Sequence, residues 1–153
     1  IVPEGAASQG YEVQRAIHRM DGSSVQGAVK QNERVVIVLK VVEREAKRAK
    51  LLLVDRLPAG LEIDNPKLVE SGAIDGLAWF KQDVEPTHVE YRDDRFVAAF
   101  DRDGSEQATF SLAYIARAVS PGVYVAPPAQ VEDMYRPERF GRTGYGSFEV
   151  SGP

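Results

Sequence analysis

Residues 34–42 read RVVIVLKVV, and six of these nine positions are β-branched. Side chains of that type lose freedom in a helix and pack well on a pleated surface. The stretch is also nearly unbroken in its apolar character, so over part of its length it has no face to give to water. It therefore predicts a strand buried on both faces over part of its length.

The rest of the chain supplies further strands. Tyr11–Arg19 alternates loosely and ends at an Asp21-Gly22 turn. Residues 50–55 (KLLLVD) read as a strand, followed by the turn Pro58-Ala59-Gly60. Residues 87–91 and 96–101 form a hairpin through Arg92-Asp93-Asp94-Arg95. Residues 106–119 make the longest strand, with Phe110, Leu112 and Tyr114 on one face and Thr109, Ser111 and Ala113 on the other. Residues 123–126 and 147–151 add two more. The charged stretch 43–50 (EREAKRAK) could be helical on its own, but its place between two strand-like runs reads at least equally as a solvated hairpin loop. One short helix is expected over residues 66–71, with Asp64 or Asn65 as cap, Pro66 in its first turn and Gly72 at its end. Trp79 and Phe80 are expected to plug one end of the core. About eight short strands and no long crossover helix point to an all-β, antiparallel two-sheet sandwich with one short helix. Residues 1–9 read as an arm or linker and 10–153 as one domain.

Composition limits the chemistry. There is no cysteine, which removes disulfides, thiolate ligands and thiol nucleophiles. The net charge of −4 gives no footprint for nucleic acid. No apolar run approaches the roughly 20 residues that span a bilayer. The chain begins with Ile1, and the expectation is a piece of a larger protein.

Each candidate reactive group has a plainer reading. His18 and His88 lie seventy positions apart without ligand spacing and read as rim residues. Asp101-Arg102-Asp103-Gly104 opens like a calcium loop, but position twelve of that count is Leu112, inside a strand, so a β-turn is expected. The glycines Gly141, Gly144 and Gly146 precede a strand rather than a helix and read as a flexible loop. Arg44, Lys47, Arg48 and Lys50 lack interleaved aromatics and read as a solvated loop able to meet an acidic partner. Asp93-Asp94 and Glu132-Asp133 read as turn charges, and no nucleophile–base pair can be named. The expectation is no enzyme, no cofactor and no metal.

Residues 126–137 (APPAQVEDMYRP) resist that treatment. Pro127, Pro128 and Pro137 restrict the backbone and predict a stiff loop, which Glu132 and Asp133 would help orient. Met134 beside Tyr135 places a soft thioether next to an amphipathic ring, a pair suited to touching another surface. The residues alone leave two readings open. The pair faces a partner, or it closes an end of its own sandwich.

Here the sequence resembles a known family. Residues 110–135 (FSLAYIARAVSPGVYVAPPAQVEDMY), 28–41 (AVKQNERVVIVLKV), 51–68 (LLLVDRLPAGLEIDNPKL) and 90–100 (EYRDDRFVAAF) are similar, in that order, to the C-terminal end of bacterial alpha-2-macroglobulins. The resemblance runs from about Gly10 to the end. It implies an immunoglobulin/fibronectin-like macroglobulin domain, the counterpart of the vertebrate receptor-binding domain. It further implies a periplasmic protease trap whose parent is a lipoprotein on the inner membrane, with a thioester carried by another domain.

In such proteins the Met-Tyr pair, here Met134 and Tyr135, lies against the thioester and keeps nucleophiles away until a bait segment is cut. The implied partners are the thioester domain, neighbouring macroglobulin-like domains of the same chain, the trapped proteases and a penicillin-binding protein. Nucleic acid and direct membrane insertion are not implied. The paired helical lysines of the vertebrate receptor-binding helix have no match, since the expected helix carries only Lys67. The competing expectations are an immunoglobulin-like adhesive or spacer module of a cell-envelope protein and, with least support, a hydrolase.

Overall fold

A computed structural model describes residues 5–64 and 74–153. The β-branched run forms β4 (Arg34–Glu43), which pairs antiparallel with β2 (Tyr11–Arg19) on one side and β9 (Thr109–Ala118) on the other. A short β6 (Leu61–Ile63) completes this four-stranded sheet, in the order β2-β4-β9-β6. Facing it is a six-stranded sheet. Its order is β1 (Ala7–Gln9), β12 (Phe140–Arg142), β11 (Ala129–Asp133), β5 (Ala49–Arg56), β8 (Arg95–Arg102), β7 (His88–Tyr91). A third, three-stranded sheet joins β10 (Gly122–Ala126), β13 (Gly146–Ser151) and β3 (Val29–Lys30). Among the described strands, each pairing is antiparallel except β13 with β3.

The period of two is written into burial. Val35, Ile37, Leu39 and Val41 of β4 point into the core, where they meet Leu51 and Leu53 of β5 and Phe110, Leu112 and Tyr114 of β9. Phe96 stacks on Tyr114 at 4.5 Å between ring centroids, and Phe100 meets Phe110 at 5.1 Å. One polar knot ties both sheets through this core. Arg15 donates to Asp55 at 2.5 Å, and the Tyr114 hydroxyl donates to the other Asp55 oxygen, also at 2.5 Å. Burial raises the Asp55 carboxyl above its ordinary range, and the Arg15 charge and the Tyr114 hydroxyl only partly offset it. The same burial, with the Asp55 charge beside it, lifts the Tyr114 phenol well above its own range.

The outer face of β4 is also covered. Val36 is fully buried with Ala113 and Ile115 under Ile74, Leu77, Trp79 and Phe80. Trp79 and Phe80 therefore blanket the outside of the four-stranded sheet and do not plug the core's end. Trp79 is held there by donating to the Met20 carbonyl at 3.0 Å, with its ring 5.0 Å from His18.

Three further expectations change. Residues 7–9, assigned to an arm, form β1 on the edge of the six-stranded sheet, because their backbone pairs with Phe140, Gly141 and Arg142. The charged stretch 43–50 is no hairpin loop, since β4 and β5 belong to different sheets and it carries the chain from one layer to the other. The helix expected over residues 66–71 lies outside the described residues. The helical element seen among the described residues is a 3-10 turn, Ile74–Gly76.

Candidate interaction surface

The proline-bracketed loop of residues 126–137 is not one loop. Its middle is β11, paired with β12 on one side and β5 on the other. Pro127 and Pro128 turn the chain from the three-stranded to the six-stranded sheet, at the end of β11 away from Met134. Pro137 is exposed in the turn between β11 and β12. The prolines at 127 and 128 thus cannot brace the Met-Tyr pair directly.

The bracing comes from β11 itself. Ala129, Val131 and Asp133 face inward, and Asp133 is completely buried. Its carboxylate accepts the Tyr135 N–H at 2.9 Å, and its backbone carbonyl accepts the Arg136 N–H at 3.1 Å. The Asp133 N–H donates to the Arg139 carbonyl at 3.0 Å, and the Arg139 N–H to Arg136 at 2.9 Å. The Met134 N–H donates to the Lys50 carbonyl at 2.8 Å, tying the turn to β5. Glu132 alternates to the other face of β11 and is half-buried there, with no hydrogen bond to the turn among those resolved.

With the backbone so held, the side chains of Met134 and Tyr135 are turned outward, 39% and 69% exposed. Beneath them lies a charged layer. The Arg139 guanidinium sits 5.0 Å from the centroid of the buried Tyr11 ring. Glu43 and Arg102 form a buried ion pair at 2.7 Å, with Arg102 also donating to the Gln107 carbonyl. Burial raises the Tyr11 phenol, with Arg139 pulling the other way. Beside Tyr135 a cleft of about 390 Å³ is lined by Arg48, Lys50, Asp101, Asp103 and Glu106, among others. Its charges are mixed, which suits a wet rim around an apolar contact.

The other candidates are scattered. His18 on β2 points Nδ1 at the Gly22 carbonyl, 3.1 Å away, and His88 on β7 lies 3.6 Å from Glu90. Asp103 accepts from Ser105 in a plain turn, and Asp94 pairs with its neighbour Arg95. No group of three or more His, Asp or Glu side chains is placed to hold a metal ion among the described residues.

The model of the bacterial alpha-2-macroglobulin MG10 domain matches residues 10–138. The chain belongs to that family. Alpha-2-macroglobulin of Xylella fastidiosa is similar in sequence, with 38% identity over 133 residues, 82% of this chain and 8% of that protein. Among solved structures, Escherichia coli alpha-2-macroglobulin activated by porcine elastase gives a TM-score of 0.83 at 32% identity, over 97% of this chain and 14% of the other. Salmonella alpha-2-macroglobulin reacted with methylamine gives 0.82 at 33% identity, over 98% and 10%. This MG10 domain is thus one part of a multidomain alpha-2-macroglobulin chain and spans about 8% of the curated relative's length.

Some residues of the MG10 turn escape sequence reasoning. Tyr11, Lys50 and Arg139 support it from three different strands or turns, and no local pattern links them. The alternation of Ala129, Val131 and Asp133 is the one available signal, and it is hidden by the flanking prolines.

Proposed function

We propose that this domain acts as a removable cover: Met134 and Tyr135 lie over a thioester held by a neighbouring domain of a periplasmic protease trap and keep water and amines from it until the trap is sprung. One observation carries this reading. An apolar pair stands outward on a turn whose backbone is fixed at five points, so it is built to press on something outside its own domain.

The physical chemistry is suited to the task. A thioester persists in water only where nucleophiles are excluded, and a ring and a thioether supply dry surface without a reactive group. A Tyr side chain covers on the order of 150–250 Å². At about 25 cal/mol per Å², the two side chains together contribute a few kcal/mol. That holds a cover in place yet lets it lift when the parent rearranges. The elastase-activated Escherichia coli relative and the methylamine-reacted Salmonella relative support a chain of this kind that responds both to a protease and to a small amine. The domain itself performs no catalysis in this reading, and the parent lies in the cell envelope as a protease inhibitor.

The test uses the full-length parent. In Met134→Ala and Tyr135→Ala, thiol release on adding methylamine without any protease is expected to rise about tenfold, the equivalent of about 1.4 kcal/mol of lost cover. Wild-type rates in both variants would overturn the assignment.

A further inference from the structure

A second outward apolar surface lies away from the Met134 turn. Among the described residues β10 is the edge strand of its sheet, paired with β13. Its Tyr124 turns inward over Gly60 and donates its hydroxyl to the Ser120 carbonyl. Its alternate residues, Val123 and Val125, turn outward and are 72% and 62% exposed. Across the ladder they oppose Glu149 and Ser147, also exposed. Tyr145, one residue before β13, is 48% exposed and continues the same alternation as Ser147. Two bare valines on an open strand edge are a surface that proteins ordinarily cover.

The path of the chain says what covers it. β1 runs antiparallel to β12 with Ala7 opposite Arg142, so the residues before Ala7 run on beside Thr143 and Gly144. The Gly5 carbonyl accepts from Arg142 at 3.0 Å, and the Gly144 α-carbon faces the Ala6 nitrogen. Gly5, the first described residue, therefore lies beside Gly144, next to Tyr145 at the foot of the valine stripe. Relatives of this chain extend to more than ten times its length. A domain preceding Gly5 in the same polypeptide would be held beside this surface at high effective concentration.

We infer that Val123, Val125 and Tyr145 form the seat of the domain immediately upstream in the same polypeptide, and that this contact fixes how the MG10 domain is carried. The inference stands apart from whatever the Met134 turn covers. A photo-crosslinking benzophenone amino acid placed at position 125 of the full-length chain tests it, with the same group at position 93, on the exposed β7–β8 turn, as control. The expected product is an intramolecular crosslink to peptides of the immediately upstream domain. Crosslinks to a second copy, crosslinks to any other domain, or a yield no higher than at position 93 would each overturn the seat. In parallel, V123K/V125K in the full chain is expected to speed amide exchange across Gly122–Ala126 about tenfold while leaving Arg34–Glu43 unchanged. Unchanged exchange across Gly122–Ala126 overturns it as well.

Discussion

Tyr135 is 69% exposed, so truncating it shifts the domain's stability by less than about 0.5 kcal/mol. Met134, 39% exposed, is more than half covered by its own domain, and its truncation costs about 1 kcal/mol. An effect of Tyr135→Ala on the parent's reactivity is then an effect of contact and not of folding. Tyr114 behaves in the opposite way. Its hydroxyl is the donor to one oxygen of buried Asp55, and Tyr114→Phe leaves that oxygen in the core with nothing to accept from. The expected loss is about 1–3 kcal/mol, read as a fall of several degrees in Tm by circular dichroism; an unchanged Tm would mean that the knot of Arg15, Asp55 and Tyr114 carries no stability. At this scale the sequence showed that a Met-Tyr pair exists but not which way it points. The direction is decided by Asp133, whose composition-level reading as a turn charge fails because its strand places it on the inward side. Nothing in an aspartate's identity separates the two fates.

The elements divide by length. β2, β4, β8 and β9 are eight to ten residues long, and their alternation is visible because each presents enough positions to one face for a pattern to form. β1, β3, β6 and β12 have two or three residues and are held by their neighbours' backbones, so their own sequences carry no period. β11 was hidden for another reason, since prolines at both ends dominate the reading of what lies between. β12 also corrects the flexible-loop reading of the glycine cluster: Gly141 is a strand residue, and Gly146 begins β13. A Cβ on Gly141 would stand 2.5 Å from the Tyr11 carbonyl oxygen, a backbone atom that cannot swing aside. Gly141→Ala is therefore expected to push β12 away from β2 at a cost of about 1–3 kcal/mol. Faster amide exchange in Phe140–Arg142 would register it, and native protection there would contradict the close approach.

For the whole molecule, acid is the informative stress. Hydrogen bonds from Ser23, Lys47, Arg92, Arg95 and Ser105 lower the carboxyls of Asp21, Glu45, Glu90, Asp94 and Asp103 respectively. A lowered folded value means support that is complete above the ordinary carboxylate range and lost as pH falls through it. Asp55 has the opposite sign. Its raised value makes the folded state take up a proton before the unfolded one, so its contribution grows on acidification. Tm is expected to decline below about pH 4, and to decline more steeply in Asp55→Asn, which lacks the compensating uptake. Parallel curves for the two proteins would refute the assignment. The opposed ends of β11 have a mechanical consequence too. β11 runs about 13 Å from Ala129, the side on which Gly5 is bonded to Arg142 of β12, to Asp133, beyond which Tyr135 projects. A rotation of the domain by about 10° about the Ala129 end of β11 would carry the phenol ring through about 2 Å, whereas a gap of about 0.5–1 Å already forfeits a quarter to a half of a dispersion contact. For the cover proposed above, leakage then needs only an angle too small to disturb the packing of either body it joins.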